Sequence, residues 1–340
     1  MIPLAKPDLS GNELKYLTEC IETGYVTHAG RFEAEFENRF SERFGCPAIA
    51  TSSGTGALHL ALLALGIGPG DEVICPVLTF GATAASILAV GAKPVFVDVD
   101  PATWGLDRQR LFSVITRRTR ALLPVHLYGI DAGSFTQFGI PVIEDACESL
   151  GMVPMQGDMT CYSFYGNKTM TTGEGGMLCG KFGQAKAWRD GGFDSAYRNV
   201  VPGLNYRMSN MQAAIGLAQL ERFDHLLGMR QRNAQVYADN LPGKGQWLYC
   251  AETENPAALQ AHLKDNGVDS RPIFTPLHLS PAFRPYAKGK YRVAEEIWSR
   301  HLCLPTGPHL TEEQQLKIVG LIHGFGHLQR SSDRSAKRAA

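Results

Sequence analysis

Between Pro47 and Leu178 short, almost continuous apolar runs alternate with helix-like stretches, and this pattern limits the fold more than any other feature. Strands are predicted at Asp71–Cys75, Pro94–Val99, Ala121–His126, Pro141–Glu144, Thr160–Phe164 and Gly176–Cys179. Apolar side chains on both faces suit strands buried on both sides. Between them, helices are predicted at Thr55–Leu65 before Gly66, Ala82–Val90 before Gly91, and Arg108–Val114. Strand–helix–strand repetition predicts an α/β fold with a mostly parallel central sheet covered by helices.

Beyond Ser209 the period changes. Met211, Ile215, Ala218, Leu220, Phe223, Leu226 and Leu227 recur at helical spacing as far as about Asn240. This reads as one long helix, or two joined near Gly228, leading from a large domain (1–222) into a smaller C-terminal α+β domain (223–328). Further helices are expected at Ala257–Lys264 and Thr311–Phe325, the latter opened by a Thr311/Gln314 capping box. The tail QRSSDRSAKRAA has almost nothing to bury, so disorder is expected over 329–340.

Composition narrows the function. Hydrophobic residues make up 44% and charged residues 19% of the 340, which excludes disorder of the whole chain. The 33 basic residues balance 33 acidic ones, so there is no basic field to attract nucleic acid. No signal peptide and no membrane span are expected, and eight scattered cysteines without a C-x-x-C pair suit a reducing cytoplasm. His323 and His327 have metal-compatible spacing but no acidic third ligand nearby, so no metal is expected.

Three segments carry candidate chemistry. In TSSGTGALHLAL a hydroxyl-rich loop opens a helix, whose free N–H groups suit an anion; an ordinary N-cap at Ser53 or Thr55 is the plainer reading. In PVIEDACESLG, Asp145 ends an apolar strand, where open α/β sheets bind ligands, although Glu144 or Asp145 could merely cap a helix immediately after it. In CYSFYGNKTMTTGEGGMLCG, Lys168 lies in a loop between two buried strands, unlike a solvated surface lysine. An anion pocket, a strand-end carboxylate and an enclosed amine are together what a pyridoxal phosphate site requires. Phe80, at another predicted strand end, could stack on the ring or simply fill core.

These segments, with CPVLTFGATAASILAVGAKPVFVDVD and GLNYRMSNMQAAIGLAQLE, occur in the order found in the DegT–DnrJ nucleotide-sugar aminotransferases, and the chain resembles that family from Ile2 to about Phe325. The resemblance implies an aspartate-aminotransferase-like fold type I and pyridoxal 5'-phosphate. SFYGNKTMTTGEGG and SRPIFTPLH look most like the branch acting on 4-keto sugars, the GDP-perosamine synthases among them. By that likeness Lys168 is the Schiff-base lysine and proton carrier, Asp145 the partner of the pyridine nitrogen, and Phe80 the stacking aromatic. Gly54, Thr55 and Ser163 match phosphate contacts. Asn205 matches an asparagine that reaches the phosphate bound in the neighbouring subunit, which implies a homodimer with shared sites. Glu148 stands where 3-keto-sugar enzymes commonly have Gln. Arg271 and His278 resemble residues that close over the substrate.

The implied substrates are L-glutamate and a nucleotide-linked 4-keto-6-deoxy sugar. Lys168 speaks against the related 3-dehydratases, which carry His there. The chain is shorter than the family pattern at 151–163, 188–206 and 243–258, where relatives shape the substrate pocket. Another keto sugar, a cyclic keto-polyol, or a catalytically idle regulator on the same fold therefore remain alternative readings.

Overall fold

In the computed structural model residues 1–325 are described in full, and of 326–339 only the course of the last helix; the tail expected at 329–340 lies outside the fully described residues. The large sheet has seven strands: β1 (Ala48–Thr51), β2 (Glu72–Pro76), β3 (Lys93–Val97), β4 (Thr119–Leu122), β5 (Ile143–Asp145), β6 (Met159–Ser163) and β7 (Gly176–Gly180). Ladders run β3-β2-β4 and β5-β6-β7-β1. Parallel bridges Leu122–Val142 and Val125–Asp145 join them into one sheet ordered β3-β2-β4-β5-β6-β7-β1. Its neighbours are parallel except for the two pairs made by β7.

The expected strands are all present, and the largest misfit is β4, which stops at Leu122 rather than His126. Pro124 explains the stop, because proline offers no N–H to a ladder. The chain nevertheless continues alongside, with Leu123 N–H bonded to Ile74 O and His126 N–H to Asp145 O.

Helices α1 (Glu13–Thr23), α2 (Arg31–Phe44), α3 (Gly54–Ala64), α4 (Gly81–Ala89), α5 (Arg108–Val114) and α6 (Ala185–Arg189) accompany this sheet. Helix α3 is apolar nearly all round, with Ala57, Leu58, Leu60, Ala61 and Leu62 buried, so it can only be an interior helix. Helix α2 instead buries one face, Phe32, Phe36 and Phe40, against Tyr162 and Phe164.

The long helical run is two helices, α7 (Asn210–Glu221) and α8 (Phe223–Asn240), and the break falls at Arg222 rather than near Gly228. Arg222 makes a two-pronged ion pair with Asp8 at 3.0 and 3.1 Å, which fixes the corner. Beyond it, β8 (Gly243–Lys244), β9 (Tyr249–Glu252), β10 (Arg271–Pro272) and β11 (His301–Leu304) form an antiparallel sheet ordered β10-β11-β9-β8. It is accompanied by α9 (Pro256–Asp265), α10 (Arg292–Ser299) and α11 (Glu312–Ala339). The Thr311/Gln314 capping box is present, with reciprocal bonds of 3.1 and 3.2 Å. Among the described residues no helix is long and apolar enough to cross a membrane.

Candidate active site

The carboxyl ends of β5 and β6, the start of α3 and the edge of the small sheet enclose one cavity of about 440 Å³. Gly54, Thr55, Phe80, Asp145, Glu148, Ser163, Lys168 and Arg271 all line it. Asn205 and His278 do not. Asn205 is exposed, with its Oδ1 accepting from Arg207 Nε at 3.1 Å. His278 pairs with Glu295 at 2.8 Å and lies against the Tyr291 ring, so the segment after Arg271 turns its histidine away from the cavity.

The N-cap reading of the hydroxyl-rich loop holds, and it leaves free amides beside the cap. Ser53 is the N-cap of α3, its Oγ accepting the Gly56 N–H at 3.0 Å. That leaves the N–H groups of Gly54 and Thr55 without a partner among the described residues, at the cavity wall. Position 54 must be glycine: a Cβ there would stand 2.8 Å from Cys147 Sγ and 2.9 Å from Ser163 Cβ. The helix start is thereby pressed against the end of β6, next to the Ser163 hydroxyl. Free amides at a helix N-terminus with hydroxyls beside them suit a phosphate.

Asp145 is buried at the end of β5, and no helix follows it, so it is not a helix cap. Its Oδ2 accepts from Thr83 Oγ1 at 2.7 Å and its Oδ1 from the Cys147 N–H at 3.2 Å. Glu148, equally buried, accepts the Tyr128 N–H at 2.8 Å and the Lys168 ammonium at 3.3 Å. Burial pushes the Glu148 carboxyl above its ordinary range, while Lys168 and the Tyr128 amide pull it back. Burial also drives the Cys147 thiol far up, so it is no nucleophile here.

Lys168 Nζ sits 3.7 Å from the centre of the Trp247 ring. Trp247, Tyr128 and Phe274 stack in sequence, and Phe274 meets Phe80, forming one aromatic wall. Behind the wall, Arg230 is buried and donates to the carbonyls of Trp247 (2.7 Å), Asn167 (3.2 Å) and Lys168 (3.0 Å). Tyr128 holds a left-handed backbone, φ 55°, rare for a bulky residue. That turn lets its N–H face Glu148 while its carbonyl accepts from Gln246 and Trp247. Trp247, Tyr128, Phe274, Arg230 and Thr83 escape sequence reasoning, since each acts across a long chain separation and carries no local signal.

The protein therefore brings an anion cradle, a strand-end carboxylate, an enclosed amine and a flat aromatic wall to one cavity. Compared with known proteins, residues 7–323 match the DegT/DnrJ/EryC1/StrS aminotransferase family. The chain belongs to this family. It is a pyridoxal phosphate-dependent aminotransferase. It is 39% identical over 360 residues to the GDP-perosamine synthase of Caulobacter vibrioides, an alignment covering 94% of this chain and 97% of that one. The GDP-perosamine synthase of Escherichia coli O157:H7 is 37% identical, with 95% and 98% covered. Among solved structures, a DegT DnrJ EryC1 StrS aminotransferase from Brucella abortus superposes with a TM-score of 0.86 at 32% identity, covering 92% of this chain and 95% of that one. The aminotransferase's own residues fit the cofactor: the unpaired Gly54 and Thr55 amides suit its phosphate, Asp145 its ring nitrogen and Lys168 its aldehyde.

Proposed function

We propose that this aminotransferase moves an amino group from L-glutamate to a nucleotide-linked 4-keto-6-deoxy sugar. The observation that carries the reading is the set of three relatives named GDP-perosamine synthase, which match the chain almost end to end at 33–39% identity. Bound pyridoxal phosphate supplies an aldehyde and an electron-accepting ring. Lys168 is the amine that would hold that aldehyde and, when free, would carry a proton at Nζ. Asp145 would face the ring nitrogen and hold its proton. Gly54, Thr55 and Ser163 would grip the phosphate, Phe80 would cover the ring, and Glu148 orients Lys168 through the 3.3 Å contact. The aromatic wall excludes water from the amine.

Arg271 stands at the mouth of the cavity, exposed, where a guanidinium can meet a nucleotide diphosphate. Asn205, exposed and outside this cavity, would reach the phosphate held by a second copy, which makes the working form a homodimer. The eight cysteines are all free, in keeping with a cytoplasmic setting.

The test is amino transfer from ¹⁵N-labelled glutamate to a panel of keto compounds. Label in a GDP-linked 4-keto-6-deoxy sugar, with little in 3-keto sugars or free keto-polyols, supports the proposal. Faster transfer to a 3-keto sugar or a keto-polyol overturns it.

A further inference from the structure

Asp145 is held by donors that the proposed reaction does not itself use. Thr83, buried in the first turn of α4, gives its hydroxyl to Asp145 Oδ2 at 2.7 Å. A hydroxyl has one proton. With that proton committed to Asp145 Oδ2, the 2.8 Å contact between Thr79 Oγ1 and Thr83 Oγ1 runs from Thr79 to Thr83. Thr79, also buried, thus starts a one-way chain from the end of β2 through α4 to the end of β5. In a low-dielectric interior such a chain polarises link by link.

Carboxylate torsions are soft, since the terminal angle of Asp is broad and two-fold. Strand β5 fixes the Asp145 backbone, through Asp145 N–H to Pro124 O and His126 N–H to Asp145 O, but not that last torsion. Donors on both oxygens do fix it. The Cys147 amide takes one at 3.2 Å; the shorter bond, to Thr83, takes the other.

We propose that Thr83, oriented by Thr79, is a positioning residue that sets the Asp145 carboxylate toward the cofactor ring. This rests on the role of Asp145 in the function proposed above. The alternative, that Thr83 only fills space, makes the opposite forecast for two small substitutions, and that separates them. Valine keeps the shape of threonine and loses the hydroxyl; serine keeps the hydroxyl and loses a methyl group.

The full chain is prepared as wild type, Thr83→Val and Thr83→Ser. For each, cofactor affinity is titrated through the visible band of the lysine-bound cofactor, and the pH dependence of that band is recorded. Urea unfolding of the cofactor-free proteins is measured alongside. The expected result is that Thr83→Val weakens cofactor binding by about tenfold or more, the worth of one hydrogen bond to a charged group, and displaces the pH profile of the band. Thr83→Ser stays within about threefold of wild type, and Thr79→Val shows a smaller loss in the same direction. Thr83→Val binding and titrating like wild type, with Thr83→Ser the weaker variant, overturns the proposal. A wild-type protein without a lysine-bound band overturns the proposed function and this inference together, whereas a normal wild-type band with unchanged affinity and pH profile in Thr83→Val overturns this inference alone.

Discussion

Replacing Arg230 by methionine separates the placing of Lys168 from the stability of the fold. Arg230 reaches three backbone carbonyls, but they do not lose equally. Trp247 O also accepts from the Thr306 hydroxyl, and Asn167 O also accepts from Trp247 Nε1 at 2.9 Å. Among the described bonds the Lys168 carbonyl has no donor except Arg230. A carbonyl left bare inside the protein costs about 1–3 kcal/mol. The guanidinium is itself costly to bury: burial holds its pKa down at about 10, and its Nε has no partner among the described residues. Removing it returns part of the loss, so the net destabilisation is no more than ~1–3 kcal/mol. Catalysis responds more steeply, since a displacement of ~1 Å at a reacting group costs on the order of 10²-fold. Turnover with glutamate and urea unfolding are measured side by side. Arg230→Met is expected to remain folded, with kcat down about 10- to 100-fold. Turnover within about twofold of wild type, despite the lost stability, would refute the claim that Arg230 places Lys168.

Two other outcomes rest on the same structure. Burial pushes the Glu33 carboxyl from 4.5 up to about 7, against the opposing pull of Arg189. The folded chain then holds this proton more tightly than the unfolded one, so stability is lost as pH rises from about 4.5 to about 7, by up to ~3 kcal/mol. Glu33→Gln should flatten that slope in urea unfolding between pH 5 and pH 8; an unchanged slope contradicts the assignment. Asn205→Ala is expected to raise the cofactor dissociation constant about tenfold in a protein that sediments as a dimer; a monomer with full cofactor affinity contradicts the shared site.

Much of this architecture is legible in the chain. Strands β2, β3, β5, β6 and β7 carry their own apolar runs, and α5 falls where its pattern puts it, at Arg108–Val114. The C-terminal sheet is less legible because β8 and β10 are two residues long, too short for any period, and exist only through pairing with β9 and β11. The helix break moves from Gly228 to Arg222 because the Asp8 pair fixes the corner there, while Gly228 is tolerated inside α8. At the site, Gly54, Thr55, Phe80, Asp145, Glu148, Ser163 and Lys168 converge because motifs at strand ends share one edge of the sheet, whereas Asn205 stands outside the cavity. His278 lies outside it because Glu295 and Tyr291 claim its ring. Trp247 and Arg230 were invisible, since nothing local shows that a residue near β9 and one in α8 will meet the loop after β6.

Borohydride reduction of the protein bound to pyridoxal phosphate, with peptide mapping of the product, reaches the central claim most directly. The cofactor should be fixed to the peptide containing Lys168, at about one per chain, and Lys168→Ala should take up none. A tag on another lysine, or a stable tag in Lys168→Ala, would show that the enclosed amine beside Glu148 and Trp247 is not the one that holds the cofactor.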